Sequence, residues 1–363
     1  MAEYKVEVDL GRIGRTNEHD KWALIDNNDL NLWVSAESLI QEVKYSHKGV
    51  EVRVKANLSK IIYWYRTHQE SNKKFNEALE CGEKEVWKLI PNNDDNLILP
   101  VEISITGEND ISSYGWYPRF FVEKYIYDIF FVMNMSVPGS CEFLNLRIRE
   151  TDGSDRERLY LSAYNFEEAY YDYLDNKKLA PIELPIEVVF NWYKKLGMGT
   201  KQKAETDVEK AIFSLLHICK SDMDVSSIIW IFHALEAIYG TRVGEGFTNL
   251  IGRMTVFLEL EERSQKIVKK HLRELYNYRS SFVHGGYKVH HPMRNEIIDK
   301  RLNDDYSRTY ELGQFGFNLI VASIQQLIRK DWFGIEVSEE IKGIACPNKQ
   351  LNQDAPNSDT PVS

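Results

Sequence analysis

The chain has 363 residues, a formal net charge of −10 at pH 7, 43% hydrophobic and 28% charged residues, a composition ordinary for a soluble globular protein. It is long enough for two domains, each with its own core. The most apolar stretch, centred on Phe130 to Met133, is interrupted by Glu123, Lys124 and Asp128, which excludes a membrane span. MAEYKVEVDL has no basic region followed by an apolar run, so no signal peptide is expected. Cys81, Cys141, Cys219 and Cys346 are far apart, with no CxxC and no neighbouring histidine ligands. Reduced thiols, a cytoplasmic location, and no metal or cofactor are expected.

From Tyr4 to about Pro185 the patterning has a strong strand component. Val6, Val8 and Leu10 alternate with charged residues, as do Val50, Val52 and Val54; Ile98 to Ile105 and Leu144 to Ile148 also read as strands. Asn57 to Glu80 and Pro118 to Met135 read as helices, and IIYWY (61–65) as the buried face of the first. DNNDLN, PNNDDN and GENDISSYG read as loops from their Asn, Asp and Gly content. Strands that do not alternate regularly with helices imply an α+β domain over residues 1–185, with a sensor or partner-docking role left by exclusion. Tyr164, Phe166, Tyr170, Tyr171 and Tyr173 could stack on bases, but Glu167, Glu168, Asp172 and Asp175 would repel a phosphate backbone, so they read as packing residues.

LAPIELP, Leu179 to Pro185, reads as a linker because two prolines flank a short extended run. An all-helical domain is expected over 186–335 and a disordered tail over 336–363, the latter rich in Asn, Asp, Pro and Ser. Helical periodicity marks Val188 to Leu196, Thr206 to Cys219, Ser227 to Tyr239, Gly244 to Leu258 and Asp304 to Trp332. Ser227 to Tyr239 is nearly apolar all round and reads as the most buried helix, with His233 as a core histidine.

Leu272 to Gly286, LRELYNYRSSFVHGG, reads as the last turns of a helix stopped by two glycines. Leu272, Leu275, Tyr276, Phe282 and Val283 share an apolar face with Arg279 in its middle, while His284 lies about 140° round with Asn277, Ser280 and Ser281. A buried guanidinium needs an anionic partner, and Glu236 on the neighbouring apolar helix would supply it. A buried ion pair that only orders the core explains the same two residues. His284 sits where the negative helix end suits a cation.

One permanent cation and one imidazole suit phosphodiester chemistry. Arginine holds non-bridging oxygens while histidine moves protons, and two copies across a symmetric dimer would give both a base and an acid. From Arg263 to Arg301 ten basic residues face three acidic ones, plus seven in an otherwise acidic chain. Lys269, Lys270, Arg273, Lys288 and Arg294 are the expected RNA-binding residues. His290 and His291, beside Pro292, read as substrate-loop or surface residues rather than metal ligands.

The arginine, four residues, then histidine of RSSFVH resembles the motif of HEPN ribonucleases. With the glycine stop and the upstream SIIWIFHALEAIYG it is similar to the Apea-like branch, over roughly Phe190 to Trp332. Ser280 stands where many members carry Asn, Asp or His. Gly286 stands where some carry a tyrosine modified by a partner nucleotidyltransferase. The resemblance implies a helical bundle that dimerises and cuts single-stranded RNA without metal, through 2′-hydroxyl attack that leaves a cyclic phosphate. It implies Arg279 and His284 as catalytic and a role in phage defence or toxin-like growth arrest, with room for a regulatory or antitoxin partner. From their placement, Glu236 would orient the arginine, and Ser280 and Asn277 would line the site as supporting residues. A non-catalytic HEPN dimer that binds RNA, a nucleotide or a partner protein is the alternative.

Overall fold

The computed structural model describes residues 2–11, 13–15, 21–47, 49–82, 97–106, 117–149, 158–175, 177, 179–220, 223–241, 247–291, 293, 295 and 297–338. PNNDDN, GENDISSYG, Arg294, Cys346 and the tail from 339 lie outside them.

Valine alternation builds an antiparallel sheet from β1 (Ala2–Asp9), β2 (Glu42–His47), β3 (Val50–Ala56), β4 (Ile98–Thr106), β5 (Phe143–Arg149) and β6 (Leu159–Leu161), in the order β2-β3-β4-β1-β5-β6. In β3, Val50, Val52, Val54 and Ala56 are buried while Glu51, Arg53 and Lys55 face water, so one face of the sheet is in the core. Helices α1 (Trp22–Ile40), α2 (Ser59–Glu80) and α3 (Tyr117–Ser136) contact it. The apolar run in α3 is buried from Ile129 through Met133 because α3 lies between the sheet and other helices.

One expectation is corrected here. DNNDLN is not a loop but part of α1. Its polar side chains find partners outside the helix instead of competing for its backbone: Asp29 accepts from Arg15 at 2.8 and 2.9 Å, and Asn28 donates to Tyr170 and Glu183. LAPIELP lies outside the helices and strands and is anchored to its neighbours. The Gln325 side chain accepts from the Ile182 N–H and donates to its carbonyl, and Leu184 N–H donates to Ser136 O.

The chain continues as α4 (Tyr164–Leu174), α5 (Ile186–Leu196), α6 (Asp207–Ile218), α7 (Val225–Ile238), α8 (Phe247–Phe257), α9 (Glu262–Val283) and α10 (Arg301–Lys330). The result is an α+β N-terminal part followed by a helical C-terminal part. The aromatic residues of α4 serve packing: Phe166, Tyr170 and Tyr171 are buried, and Phe166 meets Phe317 of α10 edge-on at 4.9 Å. Helices α6, α9 and α10 all contact α7. Where α10 crosses α7 and α9 the residue is Gly316, and a Cβ there would lie 2.7 Å from Ile231 Cγ2 and 2.9 Å from Leu275 Cδ2. Close approach of three helices therefore fixes the placement of α9.

Candidate active site

Val268, Leu272 and Leu275 form the buried line of α9, and Arg279 continues that line one turn further, where the bundle ends. Its guanidinium carbon lies 5.4 Å from the centre of the Phe232 ring, and Nη2 is 3.5 Å from Glu236 Oε2. Glu236 is thus the partner expected from the sequence. At 3.5 Å, with side chains 32% and 34% exposed, this is a loose, solvent-screened pair worth roughly 0–1 kcal/mol. Its effect is to aim Arg279 outward along α7 rather than to hold the core together.

His284 is the residue after the last helical position, and its N–H donates to Ser280 O at 3.0 Å. Gly285 follows in the left-handed region at φ 74°, which lets Gly286 and Tyr287 N–H both return to Ser281 O. The glycine stop therefore works as the sequence indicates, with His284 exposed at its edge. Asn277 is exposed and Ser280 half-buried. At about 100° per residue, Lys270, Arg273, Asn277, Ser281 and His284 form one stripe on α9, about 140° from Arg279 at the histidine. Within a single subunit Arg279 meets Glu236 and Phe232, not His284.

Lys269, Lys270 and Arg273 are exposed, and the Arg273 guanidinium lies 3.9 Å from the Phe247 ring centre. Lys288 is exposed on the segment after α9, and Arg294 lies outside the described residues. Burial, reinforced by Arg308 and Lys270, pushes His271 below the ordinary imidazole range. Arg301 holds Asp299 down to about 2 by direct hydrogen bonding.

His233 is corrected. It is exposed, not a core histidine, with Nδ1 2.8 Å from Ser214 Oγ and its ring edge-on to Trp230, which in turn stacks on His217 at 4.3 Å. The near-continuous apolar run of α7 conceals one open edge, carrying Trp230, His233 and Glu236.

Two features escaped the sequence. The first is a cleft of about 280 Å³ between the end of α9, the segment 286–290 and the start of α10, lined by Asn277, Tyr278, Ser281, Tyr287, Lys288 and His290. In it His290 Nε2 is 3.3 Å from Asp305 Oδ2. No periodicity relates residues fifteen apart across a loop, so only the fold could join them. The second is the exposure of the apolar side chains after the motif: Val289, Met293, Ile297 and Ile298 are each at least 80% exposed, and Phe282 and Val283 at the end of α9 are exposed as well. Spread among polar residues, they show no periodicity in the sequence. Among the described residues no helix is long and apolar enough to cross a membrane. Comparison with protein-family models, with curated proteins and with solved structures finds no match.

Proposed function

We propose that this protein is a metal-independent endoribonuclease of HEPN type that cuts single-stranded RNA as a homodimer in phage defence or toxin-like growth arrest. The observation that carries the reading is the emergence of Arg279 from the buried line of α9 to the surface, steadied by Glu236, five residues before an exposed His284. The exposed basic stripe on α9 supports RNA as ligand, since each lysine or arginine near a phosphate releases a counterion on binding. The exposed apolar side chains that follow the motif in the sequence support a second copy as their cover.

In the proposed reaction the RNA 2′-hydroxyl attacks the adjacent phosphorus. Its proton passes to one imidazole, the O2′–P bond forms, and the P–O5′ bond breaks as O5′ takes a proton from an imidazolium. Arg279 binds the non-bridging oxygens, whose charge grows in the transition state. Ser280 and Asn277 line the approach. Because Arg279 and His284 face different sides of one helix, the pair that acts on one phosphate comes from two subunits. Labelled single-stranded RNA incubated with the protein in EDTA tests this: fragments ending in 2′,3′-cyclic phosphate are expected.

The same angular separation also favours a second reading, a non-catalytic dimer that binds RNA, a nucleotide or a partner protein. Binding of the labelled RNA with no cleavage would select it.

A further inference from the structure

The cleft beside the motif has a chemistry that neither Arg279 nor His284 uses. Two tyrosine rings, Tyr278 and Tyr287, have centres 6.4 Å apart and planes tilted by 52°, so they form a wedge that offers one ring face at a time, and the Tyr287 ring lies 6.1 Å from that of His290. Flat aromatic walls suit a flat heterocycle. Asn277 offers a donor and an acceptor side by side, the pattern a base edge presents, and Ser281 adds a hydroxyl. Lys288 brings a fixed positive charge to the rim.

His290 completes the set. Asp305 accepts from Nε2–H, which fixes the ring and leaves Nδ1 as an acceptor for an N–H of a ligand base. The cleft also lies at the end of the stripe formed by Lys270, Arg273 and Asn277, so a strand tracking the lysines and arginines of α9 arrives at it.

We propose that this cleft binds one ribonucleotide, its base stacked on one tyrosine face and hydrogen-bonded to His290, its phosphate at the rim against Lys288 and away from Asp305, and so seats the residue flanking the cut. The proposal rests on RNA being the substrate, but not on cleavage. Calorimetric titration of the full chain with each of the four ribonucleoside 5′-monophosphates, and with inorganic phosphate, tests it. At least one monophosphate is expected to bind more tightly than phosphate alone. His290→Ala and Tyr287→Ala should weaken it about tenfold or more. Lys288→Ala, at an exposed position where misfolding is not at issue, should weaken it as well, and Asp305→Asn should weaken it less than His290→Ala.

Absence of binding at millimolar concentration would overturn the proposal. So would equal binding of phosphate and nucleotide, or unchanged affinity in both His290→Ala and Lys288→Ala. The two readings separate cleanly. Nucleotide binding that depends on His290 in a protein that cuts no RNA keeps the cleft and discards the nuclease. RNA cut by Lys288→Ala and His290→Ala with unchanged KM, alongside unchanged nucleotide affinity, discards the cleft and keeps the nuclease.

Discussion

Arg279 and Glu236 illustrate how a loose ion pair differs in consequence from a tight one. Both side chains are about a third exposed, at 32% and 34%, so breaking the pair costs little stability, while the guanidinium loses the carboxylate that limits its rotamers. Glu236→Ala should therefore leave the melting temperature within a few degrees and lower RNA cleavage by roughly tenfold. Glu236→Asp, which keeps the charge, should recover part of that loss. Glu209 behaves in the opposite way. Burial opposes its ionisation, but Lys201 and the N–H groups of Glu205 and Thr206 outweigh it and hold the carboxyl below its ordinary range. Its contribution to stability is thus complete above the unfolded-chain value of about 4.3 and is lost as pH falls through the lower folded value. Urea unfolding of Glu209→Gln across acidic pH should show a shallower acid-side decline than the parent protein.

The elements that matter for the site are α7, α9 and α10, whose mutual approach is set at Gly316. Adding a methyl group there meets Ile231 and Leu275 within 3 Å, so Gly316→Ala should cost about 1–3 kcal/mol in chemical denaturation. It should also reduce cleavage, because Leu275 is one turn before Arg279. Much of this level was legible in the sequence. The alternation in β1, β3 and β4 and the 3.6-residue periodicity of α6 and α9 encode burial directly, and the glycines after His284 mark where α9 ends. The misses have physical causes. In α1 the Asn and Asp residues satisfy Arg15, Tyr170 and Glu183, partners distant in sequence. In β2 burial alternates, with Val43, Tyr45 and His47 on the inner side, but only two of the three are apolar, so the short edge strand gives a weak signal. The His290–Asp305 pair exists only because the start of α10 returns beside the end of α9.

On the scale of the whole molecule, an acidic chain of net charge −10 carries a basic stripe on α9 and exposed apolar side chains in the segment that follows it. Single exposed hydrophobic residues are commonplace, but Val289, Met293, Ile297 and Ile298 are all at least 80% exposed within ten residues after the motif, and the proposed second subunit would cover them. Sedimentation equilibrium should return twice the 42.4 kDa chain mass. The double substitution Ile297→Asp and Ile298→Asp should return the monomer, with cleavage lost and thermal stability kept; a monomeric parent protein would remove the shared site. RNA affinity should fall steeply with added salt, as counterion release requires. The most direct measurement compares the parent protein with Arg279→Ala and His284→Ala on labelled single-stranded RNA in EDTA. The expected result is cleavage by the parent protein and a loss of about a hundredfold or more in each variant, with all three equally folded. Equal cleavage by all three, or cutting that appears only when a divalent metal is restored, would contradict the account.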